Sequence, residues 1–186
     1  LFEKPTVVNN VQTLAAVPWI MRNGGEAFAA TGAATGAASS PGTILVQLRG
    51  PEGGGIAEVP LGTPLRELVR LAGGTGSRGL KAILVGGPTG GILPPDLLDT
   101  PYDFDALRDA GAHVGSGSLV IADDRACIVD LARLLTKFSA DSACGKSIPC
   151  RIGLRRLYEI GDRIATGLPR PTDPALLADL AHDIAA

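Results

Sequence analysis

Short apolar runs bounded by turn-forming residues recur in the first two thirds of the chain, and the run at residues 56–59 alternates between apolar and polar positions. Both patterns are typical of β-strands. Four strands are predicted, at residues 43–49, 56–59, 81–85 and 118–121. Glycines at 53–55 indicate a hairpin turn between the first two strands. Apolar residues that fall on one face of a helix predict a helix at 65–72. A turn-rich segment at 86–99 and a short helix at 105–109 separate the last two strands. Strand, strand, helix, strand, strand is the order of a β-grasp domain.

The last third of the chain has helical periodicity instead, with apolar residues three or four positions apart. Three amphipathic helices are predicted, at residues 128–138, 154–164 and 174–184. Helices of this kind bury their apolar faces against one another in a small bundle. The predicted fold class is therefore α+β, with a small β-grasp domain followed by an α-helical bundle.

The residues before the first strand are less regular. An apolar run at 11–21 predicts a short helix, because Asn9 and Asn10 suit a helix start and Pro18 limits its regular length. Residues 29–40 are almost entirely Ala, Gly, Ser and Thr, a composition that predicts a linker or a mobile loop.

Composition narrows the class of protein. The chain has 186 residues, 45% of them hydrophobic, which is enough to build a core in one ordinary domain or two small ones. Its net charge is −2 and it has no basic block, so nucleic-acid binding has no electrostatic support. No apolar run is long enough to predict membrane insertion. Three cysteines do not suggest a secreted disulfide framework, and we expect a cytoplasmic protein.

The strongest chemical signal is the spacing Cys144-x2-Ser147-x2-Cys150. Cysteines at such spacing let one loop hold several irons of an iron–sulfur cluster, but here the middle position is a serine. Four cations would offset the negative charge of a thiolate cluster: Lys146, Arg151, Arg155 and Arg156. The alternative is that Cys144 and Cys150 are two ordinary cysteines in a loop between helices.

A second candidate site lies at the predicted start of the first helix. Backbone N–H groups there, together with the side chains of Asn9, Asn10 and Thr13, are suited to binding a phosphate group. On the pattern alone, helix capping is the favoured interpretation.

Other polar residues are given structural interpretations. Asp123 and Asp124 are interpreted as acids that cap the following helix, and Cys127 as a core residue. His113 and His182 lie far apart and receive no role. The glycine-rich stretch at 86–91 is interpreted as a turn-rich loop, because the Lys-Ser or Lys-Thr of a phosphate loop does not follow it.

Several short motifs, taken together and in this order, indicate a family resemblance that none of them would indicate alone. They are KPTVVNNVQTL at 4–14, VPW at 17–19, VPLGTPLREL at 59–68, GSGS at 115–118, CGK at 144–146 and PCRIG at 149–153. With them the chain resembles the NADH-binding flavoprotein subunit of respiratory complex I, and the related subunits of NAD-dependent formate dehydrogenases and NAD-reducing hydrogenases.

The resemblance implies three regions: residues 1–40 as the tail of a flavin- and NADH-binding domain plus a linker, 41–122 as a soluble-ligand-binding β-grasp domain, and 123–186 as a helical iron–sulfur domain. It also implies that Asn9, Asn10 and Thr13 help to hold the FMN phosphate. The metal ligands it implies are Cys144 and Cys150, binding a 4Fe–4S cluster.

The family resemblance implies an NADH dehydrogenase function for the intact enzyme. Hydride would pass from NADH to FMN, and electrons would leave through the cluster to a neighbouring subunit that holds a 2Fe–2S cluster. Such a complex would be cytoplasmic and peripheral to the inner membrane, without direct membrane insertion of this chain and without nucleic acid.

The chain departs from the family in ways that affect this expectation. Leu1 does not begin a signal sequence, and the chain is expected to be a C-terminal part, without the glycine-rich nucleotide-binding region and without a fourth cysteine. Gln12 and Ser147 replace a glutamate and a cysteine of the family pattern. By itself this part is not expected to be catalytic. The alternative hypothesis is a non-catalytic interaction or assembly module that has lost the cluster.

Overall fold

The computed structural model describes residues 1–32 and 40–185. Most of the predicted linker, residues 33–39, therefore lies outside the described residues, whereas Ala29 and Ala30 end a helix. In the described part of the chain, no helix is both long enough and apolar enough to cross a membrane.

The chain begins with two helices, α1 at Val11–Asn23 and α2 at Gly25–Ala30. The side-chain oxygen of Asn10 accepts a hydrogen bond from the Gln12 amide at 2.8 Å, which confirms the predicted cap. Pro18 does not shorten α1 as predicted, and the helix continues through it to Asn23. Proline removes its own N–H bond and its ring crowds the carbonyl four residues earlier, but the turns on both sides of Pro18 stay helical.

The described residues form a five-stranded mixed sheet in the order β2-β1-β5-β3-β4. The strands are β1 at Thr43–Arg49, β2 at Gly54–Pro60, β3 at Leu80–Val85, β4 at Gly91–Leu93 and β5 at Ser118–Asp123. β1 pairs with β5 in parallel, and the other neighbours are antiparallel. This is the arrangement of a β-grasp, and the α+β prediction is confirmed.

The core lies between one face of the sheet and helix α3 at Leu65–Leu71. Its largest fully buried side chains include Leu65, Leu68, Ile83 and Tyr102. Pro64 occupies the N-cap position of α3 and makes no side-chain hydrogen bond, and the hydroxyl of the preceding Thr63 donates to the carbonyl of Pro60.

The segment predicted as turn-rich contains two regular elements. β4 is only three residues long and pairs with β3, and a 3₁₀-helix follows at Pro95–Leu97. So short a strand gives no periodic signal, because its partner in the sheet decides its conformation. The predicted short helix is present as α4 at Phe104–Asp109, capped by the Asp103 carboxylate.

The last third contains the three predicted helices, α5 at Ile128–Ser142, α6 at Leu154–Ala165 and α7 at Asp173–Ala185. A π-helical turn at Pro149–Gly153 leads directly into α6. On the sheet side, α5 and α6 line a groove of about 220 Å³ together with Leu84 of β3. The bundle therefore lies beside the end of the sheet that carries β3 and β4, with the groove between them.

The junction between the sheet and the bundle differs from the prediction. Asp123 is the last residue of β5 rather than a helix cap, and its carboxylate accepts hydrogen bonds from the backbone and the guanidinium of Arg125. Those bonds lower the pKa of Asp123. Cys127 is exposed at the start of α5, so its interpretation as a core residue is wrong. It precedes the amphipathic stretch and so never reaches the buried face.

Candidate functional site

The predicted cluster loop connects the end of α5 to the π-helical turn before α6. Gly145 turns the chain with a φ of +74°, a conformation that residues with a side chain rarely adopt. The guanidinium of Arg151 donates to the Gly145 carbonyl at 3.3 Å, and the Arg151 amide donates to the Ser147 carbonyl at 3.0 Å. These bonds fold the loop back against the start of the helix that follows it.

The loop exposes its three candidate donor residues to different extents. Cys144 and Ser147 are exposed, and Cys150 is half-buried in the π-helical turn. The Ser147 hydroxyl oxygen accepts a hydrogen bond from the Cys150 amide at 3.4 Å, at the long end of the range for such bonds. Ser147 therefore stands one turn before Cys150, next to the amide of a candidate ligand.

The π-helical turn is held in place by α7. A side chain at Gly153 would collide with Ile184, whose two outer carbons lie 2.5 and 2.7 Å from the position of a β-carbon. Glycine thus lets α7 pack closely on the turn, and a larger residue would have to displace the Ile184 side chain. Sequence reasoning did not identify this contact, because nothing in the local pattern links residues 153 and 184.

A buried ion pair joins α6 to α7. The Arg163 guanidinium donates two hydrogen bonds to Asp173, whose side chain is 1% exposed, and the Arg170 amide donates a third. These contacts, the Arg163 bond above all, lower the pKa of Asp173 to about 2. The pair fixes the helix that supports the loop, although the sequence alone marked Asp173 only as a helix start.

Positive charge surrounds the loop. Lys146, Arg151 and Arg155 are exposed, and Arg156 pairs with Glu159 one turn further along α6. Cations placed in this way stabilise anionic groups such as thiolates. The loop is therefore electrostatically suited to an anionic cluster.

The donor set fits a cluster at two of its three loop positions. Thiolates are the usual ligands of iron–sulfur clusters, and Cys144 and Cys150 supply two. Ser147 supplies a hydroxyl instead. Within residues 1–32 and 40–185, no three His, Cys, Asp or Glu side chains are grouped as a metal site. The surroundings and two ligands fit an iron–sulfur cluster, and the third position has a different chemistry.

The second candidate site is at the start of α1. Asn9, Asn10 and Thr13 are all exposed, and Asn10 caps the helix as described above. The side-chain amide of Gln12 donates to the carbonyl of Thr43 at 2.9 Å, which connects α1 to the first strand of the sheet. The sequence pattern marked Gln12 only as a departure from the family and gave no sign of this contact.

The remaining polar residues that the sequence singled out do not join either site. His113 is exposed in the loop before β5. Its backbone carbonyl lies so close to Gly86 that a side chain on residue 86 would collide with that carbonyl. His182 lies on α7, and Cys127 lies at the start of α5, outside the loop with Cys144 and Cys150.

Comparisons with known proteins agree with this arrangement. Residues 130–186 match the model of the NADH-ubiquinone oxidoreductase-F iron-sulfur binding region. The chain is 41% identical to the HndC subunit of the NADP-reducing hydrogenase of Solidesulfovibrio fructosivorans and 38% identical to an NADH-quinone oxidoreductase subunit of Mycobacterium tuberculosis. These matches cover 98% and 99% of this chain, and 37% and 41% of the relatives.

The fold comparison gives the same relationship. The crystal structure of an NAD+-reducing NiFe hydrogenase in the H2-reduced state matches with a TM-score of 0.78 and 32% identity, over 95% of this chain and 29% of that chain. The chain spans about two fifths of the length of the curated relatives it matches. Over almost its whole length the chain is therefore similar to part of the F subunit of NADH-quinone oxidoreductases and of related hydrogenase subunits, and its residues 130–186 match the iron–sulfur binding region of that family.

Proposed function

We propose that this chain is part of an NADH-oxidising flavoprotein subunit, and that its helical region carries the exit for electrons. When bound, a 4Fe–4S cluster supplies one-electron transfer between a flavin and a one-electron partner. The observation that supports the proposal is the loop between α5 and α6. It carries one exposed and one half-buried cysteine, together with several cations, within the segment that matches an iron–sulfur binding region.

In this proposal the cysteines and the cations of the loop have different roles. Cys144 and Cys150 bind iron as thiolates, and the nearby cations Lys146, Arg151 and Arg155 reduce the cost of gathering negative charge. Because the loop is exposed, a partner protein can approach it closely. α7 and the Arg163–Asp173 pair, described above, keep the loop's supporting helix in one position.

The test is a measurement of iron and acid-labile sulfide in the intact polypeptide that carries this chain, prepared anaerobically. Cys144→Ala and Cys150→Ala should each lose most of the iron and sulfide of this site. Cys127→Ala is the matched control, because Cys127 is also exposed but lies outside the loop, and it should retain both. Full iron in the two loop variants would contradict the proposal.

The regions implied by the resemblance extend the same proposal. Residues 1–40 would be the tail of the flavin- and NADH-binding domain, with Asn9, Asn10 and Thr13 at the FMN phosphate, ahead of a β-grasp domain at 41–122 and a cluster domain at 123–186. All residues of α1 are exposed or half-buried, and large apolar side chains such as Val11 and Met21 are about 80% exposed. An apolar helix of this kind is suited to packing against further protein.

The proposed partner is a neighbouring subunit with a 2Fe–2S cluster, in a cytoplasmic complex peripheral to the inner membrane. Support comes from the relatives, whose names identify them as subunits of NADH-quinone oxidoreductases and hydrogenases.

A second candidate function is a non-catalytic interaction or assembly module that has lost its cluster. The serine at position 147, in place of a cysteine, favours it. The same measurement distinguishes the two. Iron and sulfide near zero in the intact wild-type polypeptide, prepared with excess iron and sulfide, would favour the module.

A further inference from the structure

Ser147 is the middle one of three donor positions that are evenly spaced in the sequence. We infer that its hydroxyl is the third loop ligand, so that one iron of the cluster is bound through oxygen. That iron exchanges with iron in solution, while the irons bound by Cys144 and Cys150 remain in the cluster. This inference rests on the proposed function, because it requires a cluster on this loop. It concerns a residue that departs from the cysteine pattern rather than one that follows it.

The hydrogen bonding of Ser147 leaves it able to bind metal. Its oxygen accepts one long bond, from the Cys150 amide at 3.4 Å. Among the described residues, no acceptor is paired with the Ser147 hydroxyl proton, and the residue is exposed. Binding would replace the O–H bond by an iron–oxygen bond, with the proton released to solvent and no electron transferred. No protein hydrogen bond has to break.

The charges around Ser147 favour the anionic form that a ligand must adopt. Lys146 precedes it, and Arg151 and Arg155 follow on the exposed side of the next turns. The Cys150 amide would donate to the serine oxygen in the bound state as well, in the way that amides stabilise anionic ligands. The neighbouring cations and the Cys150 amide therefore both favour an anionic oxygen at this position.

The chemistry of the ligand predicts which iron is labile. An alcohol is a much weaker acid than a thiol, and iron in sulfide clusters prefers soft thiolate ligands. The iron at Ser147 should therefore leave first and be replaced first. When an oxidant such as ferricyanide takes up one electron, a four-iron cluster that loses one ferrous iron becomes an oxidised three-iron cluster, which is readily recognised by its electron paramagnetic resonance spectrum.

The experiment uses the intact polypeptide, isolated anaerobically with its cluster. The cluster is oxidised with ferricyanide in the presence of a chelator, and is then reloaded with isotopically labelled ferrous iron and dithionite as the reductant. In the wild type we expect rapid loss of about one iron in four, a three-iron spectrum, and re-entry of label at that single position. Ser147→Cys should exchange at least tenfold more slowly. Ser147→Ala should show the three-iron spectrum after oxidation alone, without the chelator. Ser142→Ala is the matched control, because it removes an exposed hydroxyl beside the loop and should behave like the wild type.

Each alternative result overturns the inference in a recognisable way. If Ser147→Ala keeps a four-iron cluster with the exchange rate of the wild type, Ser147 is not a ligand, and the proposed function is unaffected. If Ser147→Cys exchanges as fast as the wild type, the labile iron is elsewhere. If neither the wild type nor Ser147→Cys contains iron and sulfide, the inference and the proposed cluster fail together. Circular dichroism of each variant separates these results from unfolding of α6.

Discussion

Tyr102 offers the sharpest test of the β-grasp core. Its side chain is fully buried, and in the described part of the chain its hydroxyl has no hydrogen-bond partner. Burial raises the pKa of Tyr102 from 10.0 to about 12, because the charged form would be stripped of water. Tyr102→Phe removes the hydroxyl and keeps the ring that fills the core. The substitution should therefore stabilise the protein.

Two magnitudes follow for the free energy of unfolding. An unpaired buried hydroxyl costs about 1–3 kcal/mol, so Tyr102→Phe should be more stable by that amount at neutral pH. Between pH 10 and 12 the unfolded wild type releases the tyrosine proton before the folded protein does. The wild type should then lose a further amount of about 3 kcal/mol as the pH rises, and the variant should not.

Urea unfolding at pH 7 and across the alkaline range measures both effects. For a slope of about 2 kcal/mol/M, the expected increase in midpoint at pH 7 is about 0.5–1.5 M. Tyr158→Phe is the matched control, since Tyr158 is half-buried with its ring 5.9 Å from the Lys137 ammonium, and it should change little. A Tyr102→Phe variant less stable than the wild type by more than about 1 kcal/mol would refute the reasoning, because the hydroxyl would then have a partner.

Two further predictions concern the other parts of the fold. Arg163 lowers the pKa of Asp173 to about 2, so the α6–α7 contact should be fully stable above pH 3.8 and weaken as the pH falls towards 2. Asp173→Asn should be less stable than the wild type at neutral pH. It should also lose this acid dependence, which the helix signal in circular dichroism measures. A β-carbon at Gly90 would collide with the Val85 carbonyl, so Gly90→Ala should cost about 1–3 kcal/mol or more in urea unfolding, whereas Gly55→Ala, which meets no atom within 4 Å, should cost much less.

The sheet and the helices were largely predictable because their signals are local. The hairpin of β1 and β2 follows from alternation around glycines, and α5, α6 and α7 follow from apolar residues that recur every three or four positions. What the pattern could not predict depends on partners far along the chain. β4 is a strand only because it pairs with β3, and α1 passes through Pro18 because the rest of its turns are intact.

The candidate site shows the same division. The spacing of Cys144, Ser147 and Cys150 identified the loop, and its position between two helices was predicted from their periodicity. The contact of Gly153 with Ile184 was not, since it joins residues that lie far apart in the sequence. Cys127 was misjudged for a related reason: an apolar neighbourhood in the sequence does not determine on which side of a helix start a residue lies.

The fold and the proposed metal site depend on different residues, and position 147 shows the difference. The β-grasp sheet, the helices and the packing of α7 against Gly153 do not involve the side chain at position 147, so the fold is compatible with either a thiol or a hydroxyl there. Similarity to the family therefore predicts the position of the loop, but not how strongly the loop would hold an iron at position 147. In our inference that strength depends on a single oxygen beside the Cys150 amide, and one substitution would change it without any change in the architecture that supports the loop.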